Sequence, residues 1–499
     1  CSVNLRVVVP DAGSAERFEI DGSLEAGKVG AGGNALNLVP NQHRFTGRPR
    51  SHLREASTTH SRDPLGTCVK FYSGDLYVNV VDSFSKHLVS QAFFLQARLS
   101  EKAFSRTGVL SFARLMACLL GGYTSKVQSE LDAFFANLAN RADLLRKVSA
   151  QAFAQARKQV SATAFGLLND QFLTLVDEQF GFPLWNGLRV VAGDATVLRL
   201  TLFGKTRDGK PFARHVVDAI GFALYLPGIE MTLAAKLYSP DVGERQMLFE
   251  HLDKLRHNDI LVLDRGYPAY WLFAALTQRG RHFCMRADSL NFGAIRTFRR
   301  SGLAEQIVTL PAPGKQDALD YEIAATPCQV RLIRQVFGQK VRVLVTSLLD
   351  LDAYPAHQFG ALYHSRWRIE EAFRRIKHRL ALEHLSGMSW LAAQQDFGAK
   401  VLCDNLNALA VHAASEALDP NIRARYFINR GDTFSRIKRT LGRWLLQGLD
   451  ALDNVASVFN QLIKNLVQIK QTDHTQEISP KNLIYQTLAR NRHEYVLLA

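Results

Sequence analysis

The sequence predicts a mixed α/β protein, a central sheet with helices on its faces, flanked on both sides by mostly helical segments. Three observations carry that reading. Apolar residues recur at helical spacing between about residues 109 and 180. After Pro183 the pattern turns into strand-like runs punctuated by Pro and Gly. From residue 357 the helical spacing returns and persists to the end.

Residues 1–70 come first and fit neither pattern. They are rich in Gly, Ser, Asn and Arg, with GAGGN at 31–35 and RPRSHLR at 48–54, and the first methionine is Met116. With no sustained period they read as a disordered or non-native leader, a basic arm that contacts DNA being the other reading. Ordered patterning begins near Tyr77. Leu110, Phe112, Leu115, Met116, Leu119 and Leu120 share a helical face, and Gly121-Gly122 ends that helix. Thr124 and Ser125 are placed to cap the next, which carries Leu131, Phe134, Phe135 and Leu138. Helix, short glycine turn, helix is the outline of a helix-turn-helix, although most such pairs are packing units. A third helix from about Ser161 completes a helical domain over 71–183.

The region 184–415 follows. LRVVAGDATVLRL (188–200) reads as a strand, and 215–238 as two more joined by the Pro227-Gly228 turn. A helix at 243–255 precedes the apolar strands DILVLD (259–264) and RHFCMRA (281–287). Three strands, helix, strand, helix, strand is the order of a mixed sheet with helices packed on it. Between about 288 and 346 short runs (QIVTL, DYEI, QVRLI, KVRVLVT) read as a β-rich insertion. The segment 416–499 is a helical C-terminal region, with an amphipathic stretch from Leu445 to Ile469 that suits packing or a dimer surface.

Composition narrows the function. Of 499 residues, 61 are Lys or Arg and 46 are Asp or Glu, a net charge of +15 that favours a polyanionic partner such as nucleic acid. The cluster Arg423, Arg425, Arg430, Arg436, Lys438, Arg439 and Arg443 could grip DNA, solvated charge being the commoner reason for such a run. Six cysteines lie far apart without a C-x-x-C pair, which argues against a disulfide scaffold or zinc knuckle. With no H-E-x-x-H, no Walker motif, no apolar run of spanning length and no secretory h-region, the expectation is a soluble, intracellular protein without zinc, ATP or a membrane.

Two aspartates stand at strand ends, Asp194 in VVAGDAT and Asp264 in LVLDRGY, where α/β sheets gather ligands. Each could equally cap a turn; Gly193 and Gly266 beside them suggest close approach of a ligand or backbone. A third acidic group lies in YHSRWRIEEAFRRIKHRL (363–380). At about 100° per residue, Tyr363, Arg366, Glu370 and Lys377 fall on one narrow stripe, beside an apolar face of Ile369, Phe373, Ile376 and Leu380. The plainer reading is a solvated helix with ion pairs such as Glu370–Arg374. If Asp194, Asp264 and Glu370 converge, their mutual repulsion calls for hard divalent cations, and two such ions are the usual clamp for in-line phosphoryl transfer.

Tyr363-x2-Arg366-x3-Glu370-x6-Lys377, with Asp194 in G-D-A-T and Asp264 in D-R-G-Y, resembles the signature of the bacterial DDE transposases of the insertion-sequence-four family, and the likeness runs from about Arg106 to Ala414. The resemblance implies a ribonuclease-H-like catalytic domain over 184–415, interrupted by the β-rich insertion, and an N-terminal helical domain that binds DNA. It implies that Asp194, Asp264 and Glu370 are catalytic and bind two Mg²⁺ ions, with Mn²⁺ substituting, while Tyr363, Arg366 and Lys377 hold the DNA strand. The implied reaction is cleavage at the ends of an insertion sequence and joining of the 3′-OH to target DNA. The implied partners are double-stranded DNA (terminal inverted repeats and target) and a second copy of the chain, in a bacterial cytoplasm near the nucleoid. Some relatives pass through a hairpin with an aromatic residue of the insertion; this insertion has no Trp, only Phe292, Phe298, Tyr321 and Phe337, so that step stays open. Two other functions stay open as well, a metal-dependent structure-selective nuclease and an inactive DNA-binding relative.

Overall fold

The computed structural model describes residues 72–106, 108–205, 211–287, 292–337, 340–423, 425–448 and 466–468. The leader 1–70 and most of the stretch 445–469 lie outside them. Helices α1 (Tyr72–Leu88), α2 (Gln91–Ala97), α3 (Phe112–Leu120), α4 (Val127–Leu138), α5 (Ala150–Arg157) and α6 (Ala164–Phe180) come first. Ser111 caps α3 by accepting from Arg114 N, and the helix closes at Gly121, where the glycine pair was expected to end it. The α3–α4 connection differs from expectation. Thr124 and Ser125 do not cap α4; their amides and hydroxyls instead donate to the Glu130 carboxylate, which Lys438 also contacts.

The sheet is built from β1 (Leu184–Trp185), β2 (Leu188–Lys205), β3 (Pro211–Leu226), β4 (Met231–Tyr238), β5 (Asp259–Leu263), β6 (His282–Ala287), β7 (Glu305–Leu310), β8 (Cys328–Phe337) and β9 (Lys340–Thr346). Its order is β4-β3-β2-β5-β6-β9-β8-β7, with β1 also paired to β2. The first three strands are antiparallel, β5 and β6 run parallel to β2, and β9, β8 and β7 add antiparallel. The insertion is therefore a continuation of the same sheet. It also contains α9 (Gly293–Ser301) and α10 (Lys315–Asp320), so DYEI, expected as a strand, is the end of a helix and its turn; α7 (Glu244–Phe249) and α8 (Tyr270–Gln278) lie between the earlier strands.

After β9 come α11 (Phe359–Ser365), α12 (Trp367–Arg379), α13 (Trp390–Glu416), α14 (Pro420–Arg423), β10 (Tyr426–Ile428), α15 (Arg430–Gln447) and β11 (Leu466–Gln468), the two short strands forming a separate pair. Period-2 alternation sends β2 side chains to opposite faces. Val191, with Leu261, Leu263 and Leu248, joins the core that also holds α1, α3, α6, α13 and α15. Ala192 packs with Ile369, Ala372 and Phe373 of α12, and Leu198 to Leu202 with Ile376 and Leu380. Helices before and after the sheet thus share one core with it. Among the described residues no helix is long and apolar enough to cross a membrane.

Buried polar groups fix the helices and strands that carry the acidic residues. Asp404 of α13 takes a two-pronged bond from Arg375 of α12 at 2.9 and 2.7 Å. Arg189 and Asp259, opposite one another in the parallel β2–β5 register, pair through two bonds of 2.7 Å in the interior. Removing one partner of such a pair leaves an uncompensated buried charge. Arg189→Met is therefore expected to lower unfolding stability by about 3–5 kcal/mol, and Arg189→Met with Asp259→Leu to recover most of the loss. Urea denaturation of the parent and the two variants measures both effects.

Candidate active site

The β2–β5 register brings the first two aspartates level. Ala192 faces Val262 in the last described pair, and two residues further along each chain stand Asp194 and Asp264. Asp194 remains on β2 because that strand runs on against β3, where it faces Ala223. Asp264 follows the end of β5, and its Oδ1 accepts from Gly266 N at 2.8 Å, which folds the turn back over the strand end. Even-numbered β2 residues face α12, so Asp194 points toward the helix that carries Glu370.

That helix differs from the single run read from the sequence. Arg366 sits at the junction of α11 and α12, where Arg366 N bonds Tyr363 O and Ile369 N bonds Arg366 O, a tightened turn inside a continuous helical path. The apolar face is as expected, with Ile369, Phe373, Ile376 and Leu380 buried. The ion pair differs: Glu370 pairs backwards with Arg366 at 2.6 Å rather than forwards with Arg374. The same guanidinium reaches Asp194 Oδ2 at 3.4 Å. Arg366 is buried, and its Nε has no hydrogen-bond partner.

The carboxylates act on one another. Burial pushes the Asp194 carboxyl from 3.8 up to about 7; Glu370 and Asp264 push the same way, while the Ala195 amide and Arg366 oppose it. Among the described residues no group of three or more His, Cys, Asp or Glu side chains is close enough to form a ready metal-ligand set. The donor chemistry still suits a hard cation, since Asp264 and Glu370, from separate segments, both act on Asp194, while the Ala195 amide and Arg366 oppose them.

Tyr363 is buried against the sheet, with the Arg342 and Arg366 guanidiniums 5.1 and 6.0 Å from its ring centre. Burial raises its phenol, and Arg366, Arg286 and Arg342 act in the opposite direction. Lys377 donates to Val197 O at 2.6 Å, on β2 three residues past Asp194. The sequence reading missed Arg286 and Arg342, which come from β6 and β9 and meet Tyr363 only because the insertion joins the sheet. It also misassigned Gly193: a Cβ there would stand 2.7 Å from Leu263 Cδ2, so this glycine serves core packing rather than a ligand. Of the insertion's aromatic residues, Phe292 and Phe298 are buried, Tyr321 stacks on Trp271 at 3.7 Å, and Phe337 is exposed. In the C-terminal basic cluster, Arg423, Arg430 and Lys438 pair with Glu416, Glu230 and Glu130.

Residues 185–406, a span that contains Asp194, Asp264 and Glu370, match the family model described as the transposase DDE domain. An Escherichia coli (strain K12) protein, transposase InsG for insertion sequence element IS4, is 22% identical over 335 residues, covering 62% of this chain and 73% of that one. The central part of the chain, residues 185–406, is thus similar to a transposase DDE domain. A cryo-EM structure of a piggyBac transposase synaptic complex with hairpin DNA is similar over 84% of this chain and 90% of that chain, at 10% identity and a TM-score of 0.37.

The site has a thermodynamic signature. Asp194 keeps its proton in the folded state to about pH 7, whereas the unfolded chain loses it near 3.8. The folded state therefore binds the extra proton between those values, and stability falls as pH rises through that window. In EDTA, Asp194→Asn is expected to remove this fall, so its melting temperature gains on the parent's from pH 4 to pH 7. Thermal melts of both proteins across that range measure the difference.

Proposed function

We propose that the protein is a DNA transposase that cuts the ends of an insertion sequence and joins the resulting 3′-OH to target DNA. The observation that carries this reading is the sharing of one buried guanidinium by Asp194 and Glu370, with Asp264 level with Asp194 on the neighbouring strand. Sheet topology supports a ribonuclease-H-like catalytic domain, since three antiparallel strands are followed by two parallel to the first and the acidic groups sit on the first strand, after the fourth, and on a later helix.

Asp194, Asp264 and Glu370 would hold two Mg²⁺ ions, or Mn²⁺ in their place. The chemistry these ions supply when bound is Lewis-acid stabilisation of the attacking and leaving oxygens in phosphoryl transfer. The remaining work falls to the chain's own residues. Arg366, with Arg286 and Arg342 around Tyr363, makes a cationic wall beside the carboxylates that attracts the DNA backbone and holds a phosphate against them. Lys377 ties α12 to β2 and adds positive charge at the same rim. The N-terminal helices would bind the element's terminal repeats, and a second copy of the chain would hold the other end.

The test uses purified full-length protein, DNA carrying the element's ends, and Mg²⁺ or Mn²⁺. The parent is expected to cut at the terminus and to join pre-cleaved ends to a target plasmid. Glu370→Gln should bind the ends normally yet cut at least about a hundredfold more slowly, as expected when a group acting on transition-state charge is neutralised. Cutting without any joined product would favour the nuclease reading. Binding without cutting by the parent would favour an inactive DNA-binding relative.

A further inference from the structure

We infer that Glu244 is a fourth carboxylate of this site, facing Asp264 and serving with it to hold a divalent cation. The inference rests on the metal-dependent reading above and extends it to a residue outside the acidic trio. Glu244 opens α7, a segment that the sequence presents as an ordinary helix following β4. Its neighbour Arg245 clamps the turn after β5, with Nε 3.1 Å from Gly266 O and 3.0 Å from Tyr267 O, and Nη2 3.3 Å from Pro268 O. That clamp fixes the start of α7 against the turn that carries Asp264.

Gly266 lies between the two acids. A Cβ added there would stand 3.1 Å from Asp264 Oδ1 and 3.8 Å from Glu244 Oε2, so the bare glycine leaves open the space into which both carboxylates point. A salt bridge with Arg245 would be the plain reason for an acid here, but that guanidinium is directed to the three carbonyls. No hydrogen bond or ion pair within 4 Å reaches the Glu244 carboxylate among the described residues.

A second, independent feature marks the place as incomplete. Tyr267 is fully buried, yet its hydroxyl has no hydrogen-bond partner. Glu244, Asp194, Asp264 and Arg366 all act on it electrostatically. Buried hydroxyls are ordinarily satisfied, so an unmatched one next in sequence to Gly266 and within electrostatic reach of Glu244 and Asp264 points to a ligand or its water shell. Two acids brought together across a glycine, beside an unmatched phenol, form the kind of all-oxygen environment that hard divalent cations prefer.

Mn²⁺ binding to the full-length protein, followed by titration calorimetry and by the loss of the free-ion EPR signal, tests the assignment without relying on DNA cleavage. Glu244→Gln is expected to weaken Mn²⁺ binding about tenfold or more, and Tyr267→Phe by a smaller factor. Glu244→Asp should fall between Glu244→Gln and the parent. Glu250→Gln, whose carboxylate is occupied by Lys236 and Tyr238, should bind as the parent does. Circular dichroism and melting temperature establish that each variant is folded. Unchanged affinity in Glu244→Gln, with binding lost in Asp264→Asn, overturns the role of Glu244 and leaves the trio intact. Unchanged affinity in Asp264→Asn as well overturns the metal reading of the whole site.

Discussion

Burial of one acidic side chain beside two others is the constraint on which this site depends. Burial is the larger cause that raises the Asp194 carboxyl, and Glu370 and Asp264 push the same way. The fold answers with one buried arginine. Arg366 bridges Asp194 and Glu370, and its position at the tightened turn between α11 and α12 aims the guanidinium inward rather than along the helix surface.

Holding the acids together requires rigid support. The buried Arg189–Asp259 pair locks the parallel register of β2 and β5, so a slip that would separate the two aspartates also breaks a desolvated ion pair. On the other side, Asp404 of α13 grips Arg375 of α12 while Ile369, Ala372 and Phe373 pack on Ala192 and Tyr225 of the sheet. Strand register and helix placement are therefore each fixed by an apolar contact and a charged one. The N-terminal and C-terminal helices close over the opposite face, which makes the sheet the common core of the described chain.

Much of this was legible in the chain itself. Strand positions from 188 to 287 followed from apolar strand-like runs and the Pro227-Gly228 turn, and the buried face of α12 from its helical spacing, because these are local patterns. The ion-pair direction was not legible: Glu370 has arginines four residues away on both sides, and only burial against β2 selects Arg366. DYEI misled because a short mixed run suits strand or helix end equally, and the fold decided it by stacking Tyr321 on Trp271. The leader's fate lies outside the described residues.

What the sequence determined by itself is the set of chemical groups and their local geometry: two aspartates at strand ends, a glutamate on an amphipathic helix, and an excess of basic charge. Tertiary structure alone decided which of those groups meet. It placed Glu244 and Tyr267 near Asp264, brought Arg286 and Arg342 to Tyr363, joined the insertion to the central sheet, and gave Gly193 to core packing. The physical reason is range. Periodicity reports on neighbours a few residues apart, whereas a charged pocket is defined by groups that the chain brings together only when strands pair and helices bury their apolar faces.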